Sequence, residues 1–266
     1  MIISLAVLVL SVIIASLMSS LVLWKRSVYF GDALSHSSIL AVVLAAKLDA
    51  NVNFTLLIFA LIFSGIIWFL QSGKMRLGNV SNAVATYFFV SAAMIFGKDF
   101  EHEFDFSQLL FGDVLNVEFV QVVSLLIILT MLLIFLNFGF QQFVFAIVDP
   151  DAARIEGIKT KFLEFIFLIL LALSIALLTR LVGIFLASAL LVLPSLIARN
   201  YASTASQMIC LSLIIGILSM FPTLIIAKSF NFELSPVFIL VLSLIFLLSS
   251  FLKKQQLKND EIIKNS

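Results

Sequence analysis

The residues best suited to chemistry are an aspartate and a histidine four positions apart in the stretch "GDALSHSSILAVVL" (31–44). On a helix, this spacing places Asp32 and His36 on one face, where they offer a carboxylate oxygen and an imidazole nitrogen. A divalent cation would satisfy both groups at once. Two ligands are too few for zinc, which takes four donors, but a two-fold homodimer with this helix at its axis would complete a tetrahedral set.

The elements that must position this pair are membrane helices. The chain has 266 residues, of which 62% are hydrophobic and 12% charged, whereas soluble domains carry about a quarter charged residues. Its apolar runs are about 18 to 23 residues long, the length that a helix needs to cross the hydrocarbon core. They do not alternate as barrel strands do. The composition therefore predicts an all-α, polytopic membrane protein.

Hydropathy and polar breaks predict nine membrane spans, or eight if one short segment is dropped. The first is expected to be a retained helix, because its basic residues follow the apolar run instead of preceding it. The predicted spans cover about residues 2–24, 28–47, 54–71, 78–97, 117–136, 162–179, 181–198, 205–227 and 235–252.

The basic residues predict an orientation for these spans. With nine spans, one side of the membrane receives twelve of the sixteen Lys and Arg residues. The positive-inside rule makes this side cytoplasmic, so the N-terminus is expected outside and the C-terminus inside. The twelve are Lys25, Arg26, Lys74, Arg76, Arg154, Lys159, Lys161, Arg199, Lys253, Lys254, Lys258 and Lys264.

The depth of the pair leaves two interpretations open. If its helix starts near Val28, Asp32 and His36 lie about 6 and 12 Å from the inner end, within the hydrocarbon slab. An ionised aspartate near a span centre costs roughly 3 kcal/mol, so it must face protein or water. In the structural alternative, Asp32 caps the helix after Gly31 and His36 hydrogen-bonds to a neighbouring span.

The long inner connection, residues 137–161, contains a predicted short helix. Asp149 can cap its start, because the following Pro150 is tolerated at the first helical position. "DAARIEG" then gives about two turns that end at Gly157. A short cytoplasmic helix between two long spans could dock a soluble partner, and an ordinary connecting turn is the alternative.

The long outer connection, residues 97–118, is acidic at its start and amphipathic further on. "FSQLLFGDVL" predicts a short surface helix or a re-entrant segment, and "KDFEHEFD" either attracts cations and basic partners or is an ordinary solvated loop. We expect no metal ligand in this loop.

Several other chemistries lack their residues. There is no "GxxxxGK[ST]" phosphate loop, so we expect no ATP hydrolysis by this chain alone, and no "HExxH" zinc-protease motif. The single cysteine, Cys210, cannot form an internal disulfide or a cysteine cage. His36 is the only histidine in a predicted span, which excludes bis-histidine haem ligation within one chain. Neither an enzyme nor a nucleic-acid partner is expected.

Four blocks of the sequence, in order, resemble the permease subunits of bacterial zinc/manganese ABC importers, the zinc-uptake permease in particular. They are "WKRSVYFGDALSHSSILAVVLAAKLDAN" (24–51), "FDFSQLLFGDVL" (104–115), "DPDAARIEGIK" (149–159) and "VGIFLASALLVLPSLIAR" (182–199). The resemblance implies a type II ABC importer permease architecture. It divides the chain into a transmembrane permease domain, residues 1–252 with a coupling loop at about 137–161, and a cytoplasmic polar tail, residues 253–266.

The resemblance also implies partners and roles. Such a permease forms a homodimer in the bacterial inner membrane, binds a cytoplasmic ATP-binding subunit, and receives metal from an extracytoplasmic metal-binding protein. Its only other expected contacts are membrane lipid and the transported metal, with no permanently bound cofactor. Asp32 and His36 match the family's "GDxLSHxx" motif, where the ion is handled, and Pro194 would break or kink a span near the inner surface. The residues that match the ATPase-coupling segment are Asp149, Asp151, Ala152, Ala153, Glu156 and Gly157.

The transported metal and two other function classes stay open. Zinc is favoured, but manganese and ferrous iron accept the same ligands, and this chain has Asn82 in the fourth span, where zinc-type members tend to have a histidine. An ion-coupled secondary transporter could use the Asp32–His36 pair as a relay, although no inverted repeat is evident. A membrane scaffold would tolerate replacement of both residues.

Overall fold

The computed structural model describes residues 2–72, 79–98, 112 and 119–265, which form twelve α-helices. In chain order the helices are α1 (Ile2–Lys25), α2 (Val28–Lys47), α3 (Val52–Ser72), α4 (Asn79–Gly97), α5 (Phe119–Phe138), α6 (Phe140–Val148), α7 (Pro150–Ile155), α8 (Thr160–Val182), α9 (Ile184–Leu190), α10 (Leu193–Arg199), α11 (Ala205–Phe230) and α12 (Leu234–Asn265).

Three helices form the centre of the bundle. Within the spans, 72% of α1, 67% of α2 and 72% of α8 is buried by the rest of the chain, against 22–33% for α3, α4, α5, α11 and α12. The outer helices expose large apolar side chains such as Phe88, Ile127 and Leu247. Because lipid tails are as apolar as these side chains, such a surface is stable only in a membrane. The central helix α2 carries the Asp32–His36 pair.

Eight of the helices are long and apolar enough to cross a membrane, counted within the described residues. They agree with eight of the nine predicted spans. The ninth predicted span, over 181–198, is not one continuous helix but consists of the two short helices α9 and α10. Gly183 starts it with a φ of 86°, and the chain leaves helical geometry again at Val192, just before Pro194.

The broken pair α9–α10 nevertheless runs beside α12 through most of the membrane. At one end, the Ser235 hydroxyl donates to the Val182 carbonyl (2.9 Å), and at the other, Lys253 Nζ donates to the Asn200 carbonyl (2.6 Å). Eighteen residues separate the two contacts along α12, or about 27 Å at 1.5 Å per residue. The hydrocarbon core is about 30 Å thick, so the pair is long enough to cross it as a ninth, broken span.

The helices α1 and α11 approach closely through small residues. The Ser212 hydroxyl of α11 donates to the Ser16 carbonyl of α1 (2.9 Å) and lies 3.2 Å from the Ser20 hydroxyl. One turn further along, Gly216 faces Ser16, with no room for a side chain between them. Small and hydroxyl-bearing residues are what hold helices together in lipid, where burial of apolar surface gives little driving force.

The inner connection contains one helix that the sequence analysis did not predict. α6 follows directly after α5 and covers nine residues. Its Phe143 is buried and lies between Phe135 of α5 and Phe167 of α8, with ring centroids 5.5 and 4.9 Å away. These aromatic contacts hold α6 against the bundle and so position the short helix α7 that follows it.

Candidate functional site

The helix that carries the candidate pair begins at Val28, as predicted. α1 ends at Lys25, and the chain turns at Arg26 in the left-handed conformation (φ 57°) before α2 starts. Within α2, Asp32 and His36 belong to one narrow exposed stripe that also includes Tyr29 and Ile39, while most of the helix is buried. The spacing of three and four residues keeps this stripe on a single helical face.

The two side chains of the pair contact each other along this stripe. His36 Nε2 lies 3.4 Å from Asp32 Oδ1, and the side chains are 35% and 56% exposed, respectively. The structural alternative for Asp32 is wrong, because α2 begins four residues earlier with Ser27 at its N-cap and no side-chain cap bond. His36 has its ion-pair partner on its own helix. Both groups are therefore oriented toward the open face of the chain.

The turn of α2 beside the pair is fixed from behind by two other helices. A Cβ atom at Gly31 would lie 3.5 Å from Leu191 Cδ1, at the break between α9 and α10, and 3.7 Å from Ile175 Cδ1 of α8. One turn further, the Thr179 hydroxyl lies 3.5 Å from the Ser35 hydroxyl. α2 therefore rests directly against the broken span, and the opposite face of the same turn presents Asp32.

A metal site at this pair would be incomplete in a single chain. Among the described residues, no group of three or more His, Cys, Asp or Glu side chains could hold a metal ion. One oxygen and one nitrogen donor leave a tetrahedral ion half coordinated. Because the pair faces outward, further ligands have to come from outside the described part of this chain.

The predicted helix at the inner end is confirmed as α7. The Asp149 carboxylate accepts hydrogen bonds from the amides of Asp151 (3.2 Å) and Ala152 (2.9 Å), and Pro150 occupies the first turn. Glu156 ends the helix, and Gly157 follows with a φ of 79°. Ala153 is the residue of α7 that is buried, so the short helix is anchored through it.

Pro194 lies in the first turn of α10, directly after the break at Leu191 and Val192. It is buried. A proline is accommodated there because the amide that it lacks has no partner in the first turn of a helix. The predicted break is therefore present, about 9 Å from the end of α10 at 1.5 Å per residue.

Two predicted features fall outside the described residues. The acidic run at 99–105 and almost all of "FSQLLFGDVL" belong to this group, with Gly112 as the exception. Gly112 has a φ of 80°, and a Cβ atom added to it would lie 2.5 Å from Gly183 N. The outer connection therefore touches the backbone at the start of the broken span.

Sequence analysis missed a polar cavity of about 500 Å³ at the end of the bundle that gathers Lys25, Arg26, Arg154 and Lys161. Its lining comes from α1, α3, α4, α6, α7 and α8 and from the connection between α1 and α2. The only indication in the sequence was that these basic residues were assigned to the same side of the membrane. The four that line the cavity do lie together at one end of the bundle.

A bundle of spanning helices with one broken helix, placed against an outward-facing charged pair, defines a polytopic membrane protein of the transporter type. A family model described as the ABC 3 transport family matches residues 1–253. The chain therefore belongs to the ABC 3 transport family. The resemblance to permease subunits of zinc/manganese ABC importers is confirmed.

Individual relatives support the same family. The chain is 29% identical over 248 residues to the "High-affinity zinc uptake system membrane protein ZnuB" of Haemophilus influenzae, covering 93% of this chain and 95% of the relative. It is 26% identical over 244 residues to the "Manganese import system permease protein ScaB" of Streptococcus gordonii, covering 92% and 88%.

A solved structure shares the fold. The chain is similar to one chain of "PsaBC from Streptococcus pneumoniae in complex with Fab", with a TM-score of 0.82 and 23% identity over 97% of this chain and 94% of that one. The prediction of an all-α ABC permease architecture is thereby confirmed.

Proposed function

We propose that this protein is the membrane permease of an ABC importer that moves a divalent transition metal into the cytoplasm, and that its ligand chemistry favours zinc. The observation that carries the proposal is the contact between Asp32 and His36 on the one open stripe of a central helix. Carboxylate and imidazole donors suit zinc. Membership in the ABC 3 transport family supports transport, and the zinc and manganese relatives support a metal as cargo.

The metal site is completed by a second copy of the chain. Two-fold symmetry along α2 would bring two Asp32 carboxylates and two His36 imidazoles to one point, which gives four donors. The exposure of both side chains in the single chain supports this arrangement, because each is free to meet a partner. Such a site is formed and dissolved by a change of dimer geometry, as a transient transport site requires.

Energy enters from a separate ATP-binding subunit at the inner connection. α7 is exposed on the side away from Ala153 and is stabilised by the Asp149 cap. It can therefore contact a soluble partner and transmit a movement of that partner to the membrane helices. Its coupling residues are Asp149, Asp151, Ala152, Ala153, Glu156 and Gly157. An extracytoplasmic metal-binding protein delivers the ion to the opposite face. The break before Pro194 provides a point beside Gly31 at which the helices around the metal path can bend.

The basic end of the bundle supports a cytoplasmic location for α7. Lys25, Arg26, Arg154 and Lys161 line one cavity at this end, and Lys253 at the end of the α12 span donates to the carbonyl of Asn200, the residue that follows Arg199. By the positive-inside rule, the C-terminus is then cytoplasmic and the protein resides in the bacterial inner membrane. The permease domain, residues 1–252, continues into the polar tail, residues 253–266, through the uninterrupted helix α12.

A second candidate function is an ion-coupled carrier that uses the Asp32–His36 pair as a proton relay. The hydrogen-bonding distance of the pair favours it over a scaffold. It differs from an ABC importer in needing no ATPase, so co-purification of an ATP-binding subunit would separate the two functions.

The test is metal accumulation in cells that express the chain with its candidate ATPase. Asp32→Asn and His36→Ala should each lower uptake of one metal by at least about tenfold, because the first replaces an anionic ligand with a weak neutral one and the second removes the imidazole ligand. Asp49→Asn, a carboxylate change in the exposed connection after α2, should leave uptake unchanged. Zinc, manganese and iron are measured in parallel to name the cargo. Unchanged accumulation of all three metals in both variants, with normal membrane levels, would refute the proposed site.

A further inference from the structure

A basic cavity lies at the proposed cytoplasmic end of the bundle, separate from the Asp32–His36 pair. It encloses about 500 Å³ and is lined by four basic side chains, Lys25, Arg26, Arg154 and Lys161, against the single carboxylate of Glu164. An excess of positive charge repels a divalent cation and attracts an anion. The cavity is therefore not a suitable exit for metal and is a suitable site for a phosphate.

The positive charge of this cavity is only partly neutralised within the chain. Lys25 Nζ lies 2.7 Å from Glu164 Oε1, and Arg154 Nη1 lies 3.1 Å from the exposed Asp151. Arg26 and Lys161 make no ion pair within the described part of the chain. Arg26 also adopts a φ of 57°, a conformation at which glycine is the usual residue after a helix. An arginine at this position indicates that its side chain contributes something that glycine would not.

Two further features of the lining point to a ligand. Asn82 is 2% exposed, and its Oδ1 has no hydrogen-bond partner, so a buried acceptor is available for a donor group. At Ser27, α2 begins without a side-chain cap, and the amides in the first turn of a helix favour a negative charge. The combination suits a molecule that carries both a phosphate and a hydrogen-bond donor such as a hydroxyl group.

An apolar groove of about 320 Å³ lies beside this cavity. It is lined by Trp68, Phe162 and Phe165, and it shares Lys161 with the cavity. The rings of Trp68 and Phe165 are 5.2 Å apart, and Phe162 is 59% exposed. A polar, basic cavity joined to an apolar groove on a membrane-facing surface matches an amphiphile, with its headgroup in one and its acyl chain along the other.

We propose that the cavity binds the headgroup of an anionic glycerophospholipid from the inner leaflet, and that the groove holds one of its acyl chains. The phosphate is held by Arg26 and Lys161, and a headgroup hydroxyl donates to Asn82. Basic pockets between membrane helices on the cytoplasmic side are a general site for such headgroups. A free phosphate shares the chemistry of the headgroup but makes no use of the groove.

The bound lipid has a consequence for α7. Pro150 and Arg154 of that helix line the same cavity as Arg26 and Asn82. A headgroup there connects α7 to the start of α2, the helix of the Asp32–His36 pair. The bound lipid therefore fills the space between α7 and the start of α2 and makes the connection between these two helices more rigid. Binding itself depends on neither metal nor ATP, so the proposed transport function and the lipid site can fail independently.

Native mass spectrometry and thermal unfolding of the purified full chain in detergent micelles test the proposal. Dioleoyl phosphatidylglycerol should bind at least about tenfold more tightly than dioleoyl phosphatidylcholine, because its headgroup carries a net negative charge and the cavity an excess of basic side chains. Sodium phosphate and glycerol 1-phosphate, at matched ionic strength, should raise the unfolding midpoint less than phosphatidylglycerol does.

Variants separate lipid binding from folding. Arg26→Gly should leave the lipid-free midpoint unchanged or higher, since glycine adopts the positive φ, yet weaken phosphatidylglycerol binding about fivefold. Lys161→Gln should weaken it similarly. Glu164→Gln should strengthen it, because the only carboxylate of the lining is removed. Lys254→Gln is the matched control, an exposed basic residue at the same end and outside the cavity, and should change nothing.

Three results would overturn the proposal. Equal affinity for the two lipids would show that the charge of the headgroup does not determine binding. Equal phosphatidylglycerol binding by Arg26→Gly and Lys254→Gln would show that the lipid does not bind in the cavity. Stabilisation by soluble phosphate that matches that of phosphatidylglycerol would assign the cavity to a free anion rather than a lipid.

Discussion

The contact between α1 and α11 gives a prediction whose size follows from the structure. In α11, Gly216 faces Ser16, and a Cβ atom at position 216 would overlap the Ser16 hydroxyl oxygen. The same atom would lie 3.2 Å from both Ser16 Cβ and Val12 Cγ1. Gly65 of α3 is the matched control, because a Cβ atom there meets nothing within 4 Å.

Two effects decide the result of Gly216→Ala. Alanine is favoured over glycine within a helix by up to about 1 kcal/mol, and this gain applies at both positions. Overpacking a tight contact costs typically about 1–3 kcal/mol, and this cost applies only at Gly216. We therefore expect Gly65→Ala to be neutral or stabilising, and Gly216→Ala to be less stable than Gly65→Ala by about 1–3 kcal/mol.

A second substitution should rescue the first. The Ser16 hydroxyl is buried and has no hydrogen-bond partner, so Ser16→Ala alone should be neutral or slightly stabilising. In the Gly216→Ala background, the same change removes the overlapping oxygen and should recover most of the lost stability. The free energies of unfolding of the single and double variants in micelles form a double-mutant cycle. Equal stability of Gly216→Ala and Gly65→Ala, or additivity in the cycle, would refute the reasoning.

Two further predictions concern the inner connection. Asp149→Ala removes the cap of α7 and should destabilise that helix by about 0.5–2 kcal/mol, whereas Asp149→Asn keeps an acceptor; faster amide hydrogen exchange across α7 in the alanine variant alone checks this, and equal exchange in both variants would contradict it. Phe143→Ala removes a buried ring between Phe135 and Phe167 and should lower the free energy of unfolding by about 3–5 kcal/mol, measured by thermal unfolding against the exposed-ring control Phe138→Ala; equal losses would contradict the contact.

Most of the fold follows from hydropathy, and the exceptions have physical causes. Eight of the nine predicted spans agree with long helices, because each is a long apolar run between polar breaks. The segment 181–198 is equally apolar, but the backbone at Gly183 and Val192 is not helical, and hydropathy carries no information about backbone angles. α6 was not predicted because it is only nine residues long and is held by the buried ring of Phe143.

The candidate site was predictable only in part. The spacing of Asp32 and His36 within an apolar run was sufficient to predict their contact on one helical face. That a second copy supplies the remaining ligands stays a prediction, because a single chain does not show how two copies meet. The basic cavity was also inaccessible to sequence reasoning, since Arg26, Asn82 and Lys161 come together only when separate helices pack.

The two contacts of α12 with the broken span restrict how that span can move. Ser235 holds one end of this span at Val182, and Lys253 holds the other end at Asn200. Because both of its ends are held, the broken span cannot tilt as a unit and can bend only at the break between α9 and α10. Leu191 is at this break and lies beside Gly31, the neighbour of Asp32 in the chain. Bending at this break would move Leu191 toward or away from the turn of α2 that carries Asp32. In this motion α12 is the fixed helix against which the broken span moves.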